Sequence, residues 1–249
     1  MVSILPARLE TQTSLFLEFV PKPYNAKGLH PGAEMIFEQI HAGGDRNFAY
    51  LIGDDSTREA AIVDPSYAPE LALDHATRHG LSVRYVISTH SHPDHVAGNA
   101  YVLERTQASE VLHESSPHPS HSRVKDNGEL AVGSINLRFL HTPGHIPDHV
   151  CVLCGRKLLT GDILFVGKVG GTGANFLGSD PKQQWESLQR LMKLDASIEV
   201  WPGHDYGVAP SSTIGDEVAT NPFLRCKNLE EFLYLKDHWA EYKKAHNIG

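Results

Sequence analysis

From Met35 onward, apolar and polar positions alternate in short runs that predict strands, interrupted by longer stretches of helical spacing. MIFEQI and NFAYLIG predict two strands joined by a turn at HAGGDR, and AAIVDP predicts a third, stopped by Pro65. Residues 68–79 have helical spacing and end at Gly80; VRYVIST then returns to a strand, favoured by its Val, Tyr and Ile. A helix is predicted over 96–107. Short strands follow around Val111 and Leu130 and over 135–140, 150–153 and 157–160. Pro181 opens an amphipathic helix through Leu194, with Trp185, Leu188, Leu191 and Met192 on one face. IEVWPGH predicts a late strand. Residues 229–246 predict a terminal helix with Phe232, Leu233, Leu235, Trp239 and Tyr242 as its apolar stripe.

Before Met35 the pattern breaks down. Pro6, Pro21, Pro23, Gly28, Pro31 and Gly32 interrupt any period, so residues 1–34 are expected to form an extension outside the core. The apolar patch over 15–20 contains Glu18 and lacks the features of a signal peptide, which points to a cytoplasmic protein. The rest divides into one unit over 35–226 and a C-terminal helix over 227–249 packed on it. Strands and helices in this mixture imply layered α/β or α+β packing, and the pattern alone does not choose between them.

Composition narrows the function. The 249 residues carry 22 Lys and Arg against 30 Asp and Glu, a net charge of −8. An acidic chain with no basic tract is poorly suited to nucleic acid or an anionic membrane, and no apolar run reaches the ~18 residues that span a bilayer. Neither nucleic acid nor a membrane is therefore the expected partner. Of the three cysteines, Cys151 and Cys154 form C-x-x-C within the strand HVCVLC, where a spacing of three puts them on opposite faces. They read as packing residues. The glycines of GKVGGTGANF lack the G-K-[ST] of a phosphate loop.

The chemistry lies in the sixteen histidines. Thr89-His90-Ser91-His92-Pro93-Asp94-His95 follows directly on a strand and precedes a helix. Histidine and aspartate are costly to bury unless hydrogen-bonded or coordinated, and both are standard ligands for zinc and related ions. His90 and His92, on alternate positions, can face one ion, while Asp94 and His95 can turn toward another. His145 in TPGHIPDH, Asp162 in LLTGD and His204 in VWPGHD repeat the arrangement of strand, small turn residues and ligand. HESSPHPSH, with His113, His118 and His121, reads as a surface loop. His141 and His149 flank His145 as candidate supporting partners.

H-x-H-x-D-H followed by a His, an Asp and a His, each at a strand end, resembles the metallo-β-lactamase superfamily. The resemblance implies an α+β fold, a four-layer αββα sandwich with a dinuclear site at the edges of its two sheets. By that match His90, His92 and His145 would hold one ion, Asp94, His95 and His204 a second, and Asp162 would bridge. Two divalent ions are implied, zinc foremost, with iron or manganese accepted by the same donors. A bridging water there loses its proton near neutral pH, and Asp94 would orient the resulting hydroxide as the catalytic carboxylate.

Within the superfamily, TPGHIPDH, LLTGDILFVG, GHDY and PSSTIGDEVATNPFLR resemble glyoxalase II, whose members hydrolyse thioesters of glutathione. Tyr206 and Arg225 match positions that hold the thiol carrier there, and Lys168 lies nearby. The basic residue found nine positions after the bridging aspartate is Gly171 here. The resemblance thus implies a metal-dependent thioesterase. The alternative is a persulfide dioxygenase on the same scaffold, with one iron(II) held by His90, His145 and Asp162.

Overall fold

The computed structural model describes residues 34–120, 122–173 and 176–246. The expected extension over 1–34 lies outside the described residues except for Glu34, and so does His121. In chain order the elements are β1 (Met35–His41), β2 (Phe48–Asp54), β3 (Glu59–Val63), α1 (Pro69–Arg78), β4 (Ser82–Ile87), α2 (Pro93–Val96), α3 (Asn99–Arg105), β5 (Ser109–His113) and β6 (Ser122–Val124). Then follow β7 (Glu129–Val132), β8 (Ile135–His141), β9 (Val150–Cys154), β10 (Lys157–Gly161), β11 (Leu164–Phe165), β12 (Lys168–Val169) and α4 (Pro181–Leu191). The chain closes with β13 (Glu199–Pro202), β14 (Ser212–Thr213), α5 (Ile214–Thr220), α6 (Leu229–Asp237) and α7 (Trp239–His246).

The first six strands form one sheet in the order β1-β2-β3-β4-β5-β6, and a second sheet runs β14-β13-β10-β9-β8-β7. Period-two alternation sends each strand's side chains to two different cores. On β2, Phe48, Tyr50 and Ile52 point between the sheets, where they meet Val132, Leu137, Phe139, Val150 and Val152 of the second sheet. Ala49 and Leu51 point the other way, into a core shared with Ala72 and Ala76 of α1 and Val102 of α3. On the far side, Leu153, Leu158 and Val200 pack against Leu188 and Leu191 of α4 and Phe232 of α6. Three cores between four layers make the helix–sheet–sheet–helix sandwich that the motif resemblance implied.

The cysteines follow the same alternation: Cys154 faces the core between the sheets, and Cys151 faces the helices. All three cysteines are free, and burial pushes the Cys151 and Cys154 thiols up to about 12, as suits packing residues. Among the described residues no helix is long and apolar enough to cross a membrane.

Several sequence expectations need correcting. The helix expected over 96–107 is two pieces, α2 and α3. Proline at the first helical position starts α2 early, so Asp94 and His95 sit in a helical turn. The terminal helix breaks at His238, whose backbone leaves helical geometry. His113 is not in a surface loop: it ends β5, is buried, and stacks on His141 with ring centroids 4.0 Å apart. The short elements β6, β11, β12, β14 and α5 carry too few residues to show a period.

Candidate metal centre

β8 pairs antiparallel with β9 and β9 with β10, while β10 pairs parallel with β13. β8, β10 and β13 therefore end at the same edge of their sheet, and each is followed by one candidate ligand: His145, Asp162 and His204. The loop after β4, with His90 and His92, and the α2 turn, with Asp94 and His95, come to that edge from the other sheet. Backbone hydrogen bonds stitch the sheets together there: Val150 N–H donates to Thr89 O and Phe48 N–H to Gly203 O, both at 2.8 Å. The Tyr50 hydroxyl adds a third, to Pro202 O at 2.5 Å.

The fold brings all seven candidate ligands together. Their donor atoms converge as His90–His92–His145, His90–His95–Asp162 and Asp94–His95–His204, with the atoms of each group within 4.8 Å of one another. The Asp162 carboxylate lies between the outer two groups. Its Oδ1 is 3.3 Å from His95 Nε2, and its Oδ2 is 3.5 Å from His145 Nε2 and 3.4 Å from His204 Nε2. All but His92 and Asp94 are buried.

Backbone and side-chain acceptors behind the site fix which ring nitrogens face it. His145 Nδ1–H donates to Gly171 O, and His204 Nδ1–H to Asp45 O, both at 2.8 Å. His95 Nδ1–H donates to Asp64 Oδ2 at 2.8 Å. In each ring Nε2 is left pointing inward, the arrangement a metal-binding imidazole needs. Asp64, in left-handed backbone geometry at φ 47°, also accepts from Thr89 N and Thr89 Oγ1. Asn47 Nδ2 donates to Asp94 Oδ2 at 3.1 Å. His149, suggested as a supporting partner, accepts from Asp162 N through Nε2 at 3.1 Å. His141 instead turns away, with its Nε2 against Pro147 O at 2.8 Å.

The donor set fits a divalent cation. His90 Nε2 and His145 Nε2 both lie 3.0 Å from His92 Nδ1. With the His145 proton on Nδ1, no placement of single protons gives both contacts a full hydrogen bond, whereas a shared cation takes one lone pair from each ring. His95 Nε2 and Asp162 Oδ1 are buried and, among the described residues, have no hydrogen-bond partner. Electrostatics divides the site in two. Burial holds the His90 and His145 rings below the usual histidine range, which keeps them neutral. Burial also opposes charge on His95 and His204, yet Asp162, with Asp64 beside His95 and Asp94 beside His204, overcomes it. The His204 pKa rises to about 9, and that of His95 also rises.

At the rim, Tyr206 stacks on His204 with centroids 4.6 Å apart and donates its hydroxyl to Asp45 Oδ2 at 2.7 Å. Lys168 Nζ donates to Tyr206 O at 2.9 Å, and the Arg46 guanidinium lies 4.8 Å over the Tyr206 ring. Arg225 is exposed in the turn after α5. Opposite, the Phe176 ring lies 5.2 Å from that of His145 and 6.2 Å from that of His92. A Cβ at Gly171, where a basic residue was expected, would come within 2.3 Å of that ring, so a side chain there would have to move Phe176. Asn47, Asp64 and Phe176 escaped the sequence reading. Asp64 alone carried a signal, because it ends a strand as Asp162 does.

The chain has relatives on both the sequence and the structural side. Its sequence is 33% identical over 226 residues to a hydroxyacylglutathione hydrolase of Anaeromyxobacter dehalogenans, covering 77% of this chain and 86% of that protein. It is 29% identical to a β-lactamase hydrolase-like protein of Agrobacterium fabrum, covering 76% of this chain; the chain spans about half of that relative's length, 52%. The crystal structure of ETHE1 from Myxococcus xanthus superposes with a TM-score of 0.78 at 33% identity, covering 82% of this chain and 91% of that one. Residues 42–204 match the family model of the metallo-β-lactamase superfamily, a span that begins just before β2 and ends on His204, and the chain belongs to that superfamily.

Proposed function

We propose that the chain is a metal-dependent hydrolase of thioesters. Two divalent ions, zinc foremost, would be held by His90, His92 and His145 on one side and by Asp94, His95 and His204 on the other, with Asp162 shared. The observation that carries this reading is the Asp162 carboxylate, which approaches His145 of one donor group and both His95 and His204 of the other. Such an ion pair supplies activated water near neutral pH and polarises a carbonyl oxygen. The protein's own part is orientation. His145, His95 and His204 are turned by the acceptors behind them, and Asp94, held by Asn47, is the more exposed carboxylate and handles the proton.

The thioester class draws support from the hydroxyacylglutathione hydrolase relative and from the glyoxalase II-like motifs. Tyr206, Lys168 and Arg225 would contact the thiol half of the substrate. The rim has one basic wall, at Lys168 and Arg46, and one apolar wall, at Phe176. A single-iron(II) dioxygenase using His90, His145 and Asp162 is the second reading, favoured by the 3.5 Å approach of His145 Nε2 to Asp162 Oδ2. Metal content per chain, thiol release from a glutathione thioester and oxygen uptake on glutathione persulfide decide between them. Two ions and thiol release without oxygen uptake are expected. One iron with oxygen uptake would overturn the hydrolase.

Binding should also release protons. His204, with a pKa of about 9, is protonated at neutral pH, so a cation taking its Nε2 lone pair must displace that proton. Calorimetry of zinc binding at pH 7.5, in buffers of different ionisation enthalpy, should show release of at least about one proton per chain. The release should fall as pH rises through 9. Binding without proton release would mean that His204 does not carry that proton in the free site.

A further inference from the structure

Behind the Gly170–Gly171 backbone lies a half-buried lysine. Lys236, on α6, donates from Nζ to Gly170 O at 2.8 Å and to Gln184 Oε1. Gln184 on α4 is fully buried and donates from Nε2 to the same Gly170 carbonyl at 3.0 Å. The Phe232 and Phe223 rings lie 5.6 and 6.0 Å from Nζ. Among the described residues no carboxylate forms an ion pair with this lysine, and burial pulls its pKa down to about 7. A cation held among neutral acceptors costs stability, which a purely structural tie between α6 and the domain would not require.

The clamped backbone is the wall of the metal centre. Gly170 packs so tightly that a Cβ there would lie 1.7 Å from Asp162 O and 3.1 Å from His145 Nδ1. The next carbonyl, Gly171 O, takes the His145 Nδ1–H. Two donors on Gly170 O therefore fix the peptide plane whose neighbour sets the tautomer and tilt of His145. We infer that Lys236 is a positioning residue for the metal centre, acting through Gln184 and the Gly170–Gly171 backbone on His145. It lies outside residues 42–204, so this contact reaches the centre from beyond the segment that the superfamily match covers.

The inference rests on the metal-binding reading, and its test separates the two. Zinc affinity is measured by chelator competition on wild type, Lys236→Met, Lys236→Arg and Tyr234→Ala, an exposed site on the same helix. Partners behind a ligand typically contribute ~10–100-fold in metal affinity, so Lys236→Met should bind about tenfold more weakly or worse. Lys236→Arg should recover most of the loss, and Tyr234→Ala should match wild type. In ¹⁵N-labelled zinc-loaded protein, the His145 Nδ1–H resonance should shift or broaden in Lys236→Met alone. A Lys236→Met protein that melts earlier but keeps wild-type affinity and an unmoved resonance overturns the inference and leaves the metal reading standing. Wild type that binds no zinc overturns both. If Lys236→Met does not fold, Gln184→Met removes the other donor to Gly170 O and should show the same loss; wild-type affinity in that variant overturns the inference.

Discussion

Asp162→Asn is expected to strip the centre of most of its metal and to cut thioester turnover by at least ~10²-fold. The substitution keeps the side chain's shape, and the residue's surroundings are fixed by backbone, with Asp162 N donating to His149 Nε2. The fold should therefore survive. What changes is the charge between two groups of ligands. Burial alone would push this carboxyl up, but the His95 and His204 rings beside it hold it well below the usual carboxylate range. An amide supplies one oxygen where two now face His95 on one side and His145 and His204 on the other. Its NH2 would have to point at one of these groups, presenting protons where a cation must sit. Metal content per purified chain and the rate of thiol release are the measurements. Glu104→Gln, on an exposed side chain of α3, is the control. Full metal content and full turnover in Asp162→Asn would remove Asp162 from the centre.

Gly203→Ala should have the next largest effect, by intrusion rather than loss of charge. A Cβ at this position would lie 2.5 Å from Asp162 Oδ1 and 3.0 Å from His95 Cε1. The chain cannot back away, because Gly203 N–H donates to Gly161 O while Gly203 O accepts from Phe48 N–H, both at 2.8 Å. Either the methyl displaces the carboxylate or the stitch between the sheets opens. Both outcomes weaken metal binding, by roughly tenfold or more for a displaced ligand. The opened stitch would also lower stability by ~1–3 kcal/mol, the range for overpacking a filled site. Thermal melting with and without added zinc separates the two. A variant that binds zinc and melts like wild type would show that the backbone here yields more than its hydrogen bonds suggest.

The strands were legible in the sequence because their signals are local and repeated, while their assembly into a sandwich was read from the motif resemblance and not from the pattern. Phe48, Tyr50 and Ile52 alternate with Ala49 and Leu51, and that alternation sends each set to its own core. The seven candidate ligands were legible for a related reason: each follows a strand end, where a rigid root can aim a side chain. What the chain concealed depends on contacts between distant segments. Asn47 gave no sign that it would reach Asp94, which lies 47 residues on. Lys236 reads as an ordinary polar residue of an amphipathic helix until Gly170, 66 residues away, is folded against it. His113 misled because the residues that follow it are polar, whereas its own ring is stacked on His141. Tyr206 is seen against His204, while Arg225, read from the same motif resemblance, stays exposed.

The packing of Phe176 on Gly171 makes two positions behave as one. The ring already occupies the space that any side chain at 171 would enter. A lysine or arginine installed there alone would lever the aromatic off the imidazoles of His92 and His145 before its charge could reach a substrate. Removing the aromatic alone would uncover those imidazoles without bringing a charge to the wall. A side chain at 171 therefore fits without moving the ring only when the residue at 176 is smaller, and the character of this wall is set by the two positions as a pair.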